Sequence, residues 1–160
     1  MAKFKLDVVD QKILDMLIEN TRLPFTDIAK SLDISAGTVH VRVKKMEEAG
    51  IIIGSSLTLN YIKLGYSFIA YVGVFINKTS QTKFVLERIA DIPYVTVAHI
   101  TTGKFNIFCK IRAKDTDHAK NIIFQLDDID GVYRTETMIS LEESLNDKKR
   151  LMHSIFDDLV

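Results

Sequence analysis

The hydrophobic period changes once along the chain, and this change constrains the fold more than any other feature. Up to about residue 50, apolar residues recur at helical spacing, as Ile13, Leu14 and Leu17 do. From Tyr66 to Ile76 they instead fill both faces of a strand with a period of two. The chain has 160 residues, 47% of them apolar, so it is long enough for two small folded units. The sequence therefore predicts a helical half followed by a half that contains a sheet.

Three helices are predicted in the first half, and the second and third have the proportions of a helix-turn-helix unit. The first helix follows Asp7, which is placed to cap it, and the second is expected to have Thr26 as its cap. The third runs from Ala36 to Ala49, and Gly50 ends it. A three-residue turn with an apolar centre, Asp33-Ile34-Ser35, joins the second helix to the third.

The second half alternates strands and helices in the order strand, helix, strand, strand, helix, strand. This order is that of a ferredoxin-like α+β fold, with the first helix expected to be capped by Ser80. Both helices then cover one face of the sheet, so the apolar opposite face needs another cover. A second copy of the same sheet supplies that cover, and the sequence therefore predicts an obligate dimer.

Four segments follow from this division. Residues 1–53 are the helix-turn-helix domain, 54–65 a linker strand and hinge, 66–142 the ferredoxin-like domain and 143–160 a helical tail. Residues 51–59 are rich in β-branched side chains and are expected to form a strand or wing. The tail is interpreted as a docking helix, because apolar residues recur at helical spacing behind Lys148-Lys149-Arg150, namely Leu151, Met152, Ile155, Phe156 and Leu159.

The third helix has a side that fits the major groove of DNA. Val39, Val43 and Met46 form an inward stripe, so the residues between them project outward. The outward side offers a small residue for close approach, hydroxyl groups, an apolar side chain for a thymine methyl group and cations for phosphates. The predicted DNA-contacting residues are Ser35, Gly37, Thr38, His40, Val41, Arg42, Lys44 and Lys45.

Net charge does not decide whether the partner is DNA. The chain has 21 basic and 21 acidic residues, and residues 1–53 contain as many basic as acidic ones. A solvated helix whose Lys and Arg side chains only keep it soluble is therefore the alternative. Because Asp7, Asp10 and Asp15 belong to the first helix, which could face away, the neutral total still permits a positive face on the third helix.

Other kinds of function have little support in the sequence. It contains no Gly-x-Ser-x-Gly elbow, Walker loop or dinucleotide-binding glycine pattern, so neither enzyme activity nor a cofactor is expected. The four His residues and Cys109 do not have zinc-ligand spacing, so no metal site is expected. A single cysteine, with no signal peptide or membrane-spanning stretch, predicts a cytoplasmic protein with no membrane partner. Two alternatives remain, a ligand-binding module without DNA function and a small dimeric enzyme on a ferredoxin-like sheet.

A series of motifs runs through both halves of the chain. They are Leu6-Asp7-Val8-Val9-Asp10 with Ile13-Leu14, Ile28-Ala29-Lys30, the stretch from Ser35 to Ile52, Leu64-Gly65-Tyr66, the stretch from Thr101 to Phe108, and Thr135-Glu136-Thr137. In these motifs and in their order the sequence resembles the Lrp/AsnC transcription regulators, over about residues 6–142. The resemblance implies a sequence-specific DNA-binding regulator. Its helix-turn-helix domain is winged-helix-like, and its ferredoxin-like domain, called the RAM domain, binds an effector and forms oligomers.

The resemblance also implies where the effector binds. It places an amino acid, asparagine or another, between subunits near the loop after the second strand, at Thr101, Thr102, Gly103, Lys104, Phe105 and Asn106, with Thr135 and Glu136. Free backbone N–H groups, the Thr hydroxyl groups and the room at Gly103 suit an α-carboxylate. Many family members have an acid where this chain has Asn106, so the acceptor for the ammonium group is expected to be a carbonyl, Glu136 or Asp127 of the partner subunit. An ordinary hairpin turn is the alternative for this loop.

The implied assembly is a homodimer that assembles further, up to an octamer. Two-fold symmetry would place two recognition helices on successive major-groove faces of double-stranded DNA. The operator is therefore expected to be a near-palindrome with half-sites about 10 bp apart.

Overall fold

The structure, a computed structural model, describes residues 5–147 and 150–157. It divides into two compact units, of which the first contains the chain up to Thr58 and the tail from Leu145, and the second is Leu59–Ser144. The helices of the first unit are α1 (Val8–Glu19), α2 (Phe25–Leu32), α3 (Ala36–Glu48) and α6 (Arg150–Asp157). The second unit contains β1 (Phe68–Ile76), α4 (Thr82–Ala90), β2 (Val95–Ile100), β3 (Ile107–Ala113), α5 (Thr116–Asp127) and β4 (Val132–Ile139).

The first two helices of the first unit start in different ways. Asp7 caps α1 as predicted, and it forms a capping box in which the Asp10 N–H donates to Asp7 at 2.8 Å and the Asp7 N–H donates to Asp10 at 3.1 Å. The predicted cap of α2 is wrong, because Thr26 lies inside the helix. The residue before α2 is Pro24, which makes no side-chain cap hydrogen bond and has φ fixed at −61°.

The turn between α2 and α3 is tight and partly buried. Asp33 ends α2 with a left-handed φ of 54°, which the short polar Asp side chain tolerates better than most residues do. Ile34 packs against the core of the unit, and Ser35 caps α3. The predicted inward stripe of α3 is confirmed, because the side chains that fill the core are Ile13, Leu14, Ile28, Ala29, Val39, Val43 and Met46.

The second unit is a four-stranded antiparallel sheet with both helices on one face. The strand order is β2-β3-β1-β4, as the ferredoxin-like fold requires. Alternate β1 residues, such as Val72 and Val74, are fully buried with Ile89 of α4 and Ile122 of α5. Ser80 does not cap α4, because residues 79–81 form a 3₁₀ turn and α4 begins directly after this turn, at Thr82. The predicted fold class, α+β with a helix-turn-helix domain, is confirmed.

The opposite side of the sheet, called the outer face below, is defined by Tyr71, Gly73 and Phe75 of β1 and by the β3 residues beside them. Tyr71 stacks on Phe108 of β3 with ring centroids 5.7 Å apart. Near the edges of this face, Val97 of β2 remains 40% exposed in the single chain. The outer face is therefore aromatic and only partly covered by its own chain.

The predicted strand at residues 51–59 is wrong for the single chain, because the structure assigns no strand there. A strand forms only where another segment supplies hydrogen-bond partners, and no described segment of this chain pairs with these residues. Ile53 is 95% exposed and Leu57 is 68% exposed. The hinge after this segment is a turn in which Gly65 adopts a positive φ of 85°.

The carboxyl-terminal tail forms the short helix α6. Met152 packs against the core of the first unit, which agrees with the docking helix expected from the sequence, whereas Leu151 is 68% exposed. Lys148, Lys149, Leu159 and the side chain of Phe156 lie outside the described residues.

Candidate nucleic-acid interface and ligand loop

The helix α3 presents an outward side that is anchored by its buried stripe. At its start the Ser35 hydroxyl accepts a hydrogen bond from the Thr38 N–H at 3.0 Å, and the two hydroxyl oxygens lie 2.8 Å apart. A Cβ added at Gly37 would have no neighbour closer than 3.7 Å, so this position is open at the surface. All the predicted DNA-contacting residues except Arg42 are exposed: Ser35, Gly37, Thr38, His40, Val41, Lys44 and Lys45.

An open groove of about 790 Å³ runs along this side of α3. Its lining combines α3 with the start of α1: Lys5, Asp7, Asp10, Ser35, Gly37, Thr38, Val41, Arg42 and Lys45. The idea that the acids of the first helix face away is therefore wrong for Asp7 and Asp10. The capping box that starts α1 turns both carboxylates toward α3.

Arg42 is bound within the first unit. Its guanidinium group donates to Asp7 at 2.7 Å and to Asp10 at 2.8 Å, and the Asp10 side chain is only 7% exposed. Hydrogen bonds to Asp10 and Asp7 raise the pKa of Arg42 above its usual value. Burial raises the pKa of Asp7, but hydrogen bonds from the Asp10 N–H and Arg42 outweigh this and lower it overall. Arg42 therefore fastens α3 to α1 and neutralises acids in the groove, and its predicted contact with DNA stays a prediction.

Lys44 and Lys45 are the cations that α3 presents to solvent. Lys44 lies 3.9 Å from Glu48, but both side chains are about two-thirds exposed, so this pair contributes little to stability. Lys45 is one of the residues that line the groove. On the other flank of α3, the centroid of the His40 ring lies 6.0 Å from that of the Phe25 ring.

The loop between β2 and β3, residues 101–106, is held by hydrogen bonds at both ends. The Thr101 N–H donates to the Asn106 carbonyl at 3.1 Å, and the Thr101 hydroxyl donates to the Phe105 carbonyl. The Asn106 N–H donates to the Val74 carbonyl at 3.0 Å, while its side-chain oxygen accepts from the Ile76 N–H at 2.9 Å. Two polar groups from the predicted effector site therefore hold the loop itself. They are the side-chain oxygen of Asn106 and the hydroxyl hydrogen of Thr101.

The Phe105 ring lies directly on the backbone of Gly73. A Cβ at Gly73 would lie only 2.5 Å from the Phe105 ring carbon Cγ, so only glycine fits beneath the ring. Phe105 also makes an edge contact with Phe75, whose ring centroid is 5.2 Å away. Sequence reasoning missed this packing, although a glycine in the middle of a strand is a known sign of close approach.

Beside these two rings lies a group of three charged side chains, Lys104, Arg134 and Glu136. Lys104 lies 2.6 Å from Glu136, and Arg134 pairs with the other oxygen of the same carboxylate. The hydrogen bond from Lys104 lowers the pKa of Glu136. In the register of β4 against β1, Glu136 lies opposite Gly73 and so belongs to the outer face. Thr135 lies opposite Val74 and so belongs to the helix-covered face. One chain therefore cannot direct both residues at one ligand, and the predicted effector set stays a prediction.

No group of three or more possible metal ligands occurs among the residues that the structure describes. Cys109 lies in the core, and desolvation raises the pKa of its thiol to about 11. Within the described ranges, no helix is long and apolar enough to cross a membrane.

A helix-turn-helix unit joined to a ferredoxin-like unit defines a class of DNA-binding regulators with a ligand-binding domain. Residues 6–53 match the winged helix-turn-helix DNA-binding family, and residues 69–149 match the Lrp/AsnC ligand binding domain. The chain belongs to the Lrp/AsnC family of transcription regulators, which is not known to include enzymes. The family predicted from the sequence is thus confirmed.

Similar proteins cover nearly the whole chain. Regulatory protein AsnC of Escherichia coli is 32% identical over 91% of this chain and 96% of its own length. The solved structure of that protein has a TM-score of 0.86 at 30% identity, covering 90% of this chain and 97% of that one. A transcriptional regulator of Neisseria meningitidis, solved in complex with L-methionine, shares the fold with a TM-score of 0.84 at 23% identity, covering 90% and 95% of the two chains.

Proposed function

We propose that the chain is a sequence-specific regulator whose α3 reads the major groove of double-stranded DNA. The observation that carries this proposal is the exposed side of α3, where an open Gly37, the Thr38 hydroxyl and the half-exposed Val41 side chain lie beside Lys44 and Lys45. In this proposal Val41 contacts a thymine methyl group, and the lysines contact phosphates. Such a function implies a cytoplasmic location, where the DNA would lie.

The test of DNA reading is a charge reversal, Lys45→Glu, measured by gel shift on an operator selected from random DNA. We expect loss of binding with an unchanged far-UV circular dichroism spectrum, because the helix stays anchored by its buried stripe. The matched control is Lys83→Glu, which makes the same charge change on an exposed position of α4 in the second unit. If Lys45→Glu binds like wild type, α3 is not the reading helix.

Lys44 and Lys45 are the only cations of α3 that are exposed, so the dependence of binding on salt should be modest. A dimer that brings two copies each of Lys44 and Lys45 neutralises about four phosphates, which gives a slope of log K against log salt of about −3.6. A much steeper slope would mean that other cations of the chain carry the contact.

The proposed assembly is a two-fold dimer formed through the outer face, with further association up to an octamer. Support comes from the exposed apolar residues at this face, including Val97 and Met138, which is 43% exposed. Met138→Asp should weaken dimerisation in sedimentation equilibrium, because it buries a carboxylate in the interface. Phe124→Asp on α5, where the side chain is 54% exposed on the helix-covered side, is the matched control. The dimer is expected to bind a near-palindromic operator with half-sites about 10 bp apart.

The proposed effector is an amino acid, bound between subunits at residues 101–106 with Glu136. Support comes from the hydrogen bonds that hold both ends of the loop, from its free N–H groups and from the adjacent charged side chains. A thermal-shift screen of the twenty amino acids tests this, since a ligand at 100 times its Kd adds about 2.7 kcal/mol of stability. The absence of any shift at millimolar concentrations would refute an amino-acid effector.

The proposed mechanism is thermodynamic linkage between the two units. The effector prefers one arrangement of dimers, and that arrangement sets the spacing of the recognition helices along DNA. The bound amino acid should therefore change both the sedimentation profile and the operator affinity. If neither changes at saturating effector, the two functions are not coupled.

A further inference from the structure

The tip of the loop at residues 101–106 presents hydrogen-bond donors and no charged acceptor of its own. The N–H groups of Thr102, Gly103 and Lys104 have no acceptor among the described residues. The Asn106 oxygen, which is the one side-chain carbonyl in the loop, is already taken by the Ile76 N–H at 2.9 Å. Clustered backbone N–H groups of this kind bind anions.

The charged side chains beside the loop carry an excess of positive charge. Lys104 and Arg134 share one carboxylate, that of Glu136, so the group has a net charge of +1. Both cations also lie over the Phe75 ring, with Lys104 Nζ 5.9 Å and Arg134 Cζ 5.1 Å from its centroid. In the single chain the Lys104 and Arg134 side chains are 63% and 57% exposed, so both remain open to a ligand that binds between subunits. Because Glu136 is already bound by two cations, it is a poor acceptor for the ammonium group of a ligand.

We propose, building on the amino-acid effector suggested above, that the ligand of this site is an amino acid with an acidic side chain. Its α-carboxylate binds the free N–H groups of the loop tip, and its side-chain carboxylate binds Arg134 and Lys104. The ligand carries a net charge of −1, which balances the excess charge of the site. Its ammonium group faces the Thr102 hydroxyl, which is exposed and can accept a hydrogen bond.

The test compares isosteric ligands by isothermal titration calorimetry on the full chain. L-aspartate and L-asparagine differ only in side-chain charge, as do L-glutamate and L-glutamine. We expect one acidic ligand to bind at least about tenfold more tightly than its amide, which corresponds to about 1.4 kcal/mol. If an amide or another neutral amino acid binds as tightly, the acidic class is wrong while the amino-acid effector stands. If no amino acid binds, both proposals fail.

A pair of variants separates the site from general electrostatics. Arg134→Gln should reduce the preference for the acidic ligand to less than about threefold with little change in melting temperature, since Arg134 is largely exposed. The matched control is Arg88→Gln, because Arg88 also lies over a phenylalanine ring, that of Phe84, and also pairs with an acid, Asp91, but on α4. A preference that survives in Arg134→Gln, or falls equally in Arg88→Gln, would overturn the assigned role of Arg134.

Discussion

Replacing Gly73 by alanine tests the packing that supports the ligand loop. The added Cβ would lie 2.5 Å from Cγ of Phe105, whereas carbon atoms in contact are normally about 3.5–4.0 Å apart. The Phe105 ring therefore has to move by at least about 1 Å, although it is already in edge contact with Phe75. Overpacking of this kind destabilises by about 1–3 kcal/mol.

The same substitution has a small favourable effect of its own, since alanine is better than glycine in a strand by about 0.5–1 kcal/mol. We therefore expect Gly73→Ala to lower the free energy of unfolding of the second unit by about 1–2 kcal/mol. In a Phe105→Ala background the clash is gone, and the change should be neutral or slightly stabilising. The coupling between the two sites should then exceed about 1 kcal/mol.

Urea unfolding followed by tyrosine fluorescence measures this effect in the second unit alone. The chain contains no Trp, and its five Tyr residues all lie between residues 61 and 133. Gly103→Ala is the control, because no atom lies within 4 Å of a Cβ added there, and it should be close to neutral. If Gly73→Ala costs the same with and without the Phe105 ring, this ring is not the reason for glycine at position 73.

Three further predictions concern the ion pair and the buried thiol. Arg42→Ala should destabilise the first unit by about 1.5–3 kcal/mol, because it leaves the Asp10 carboxylate buried without its cation. Urea unfolding followed by far-UV circular dichroism measures this change. A loss of stability below about 0.5 kcal/mol would contradict the prediction. Asp7 has a lowered pKa in the folded state, so its stabilisation is complete well above its unfolded pKa of 3.8 and is lost as pH falls through the lower folded value. The stability of Asp7→Asn should therefore fall less steeply than that of wild type in this acid range, and equal slopes would contradict the assignment. Cys109 should react with a thiol reagent at pH 8 far more slowly in the native protein than in urea, and equal rates would show that the thiol is accessible.

The structural features that depend only on residues close together in the chain could be predicted from the sequence. The stripe of Val39, Val43 and Met46 and the cap at Asp7 follow from helical period and cap chemistry, and both are confirmed. The order of strands and helices also follows from local period, and it leads to the ferredoxin-like sheet. The strand at residues 51–59 was wrong because β-branched composition does not supply a hydrogen-bonding partner.

Contacts between distant residues could not be predicted in the same way. Arg42 lies 32 residues from Asp10, and nothing in the local pattern shows that the capping box turns its acids toward α3. Phe105 and Gly73 meet because the loop folds back over β1, which depends on the sheet order. The glycine alone indicates that something approaches closely, but the approaching side chain is known only from the fold.

The ion pair of Arg42 also supports the proposal that a domain with equal numbers of acids and bases binds DNA through α3. In the net charge of residues 1–53, Asp7 and Asp10 count as charges that repel phosphates and Arg42 counts as one that attracts them. In the folded unit Arg42 is bound to both acids, so its charge and part of theirs cancel within the groove. The cations that α3 leaves exposed are Lys44 and Lys45, which the proposed function assigns to phosphates. If α3 reads DNA as proposed, Arg42 favours binding mainly by holding α3 against α1 and by neutralising Asp7 and Asp10. The arrangement of the charges, and not the net charge of the domain, then decides the sign of the surface that meets DNA.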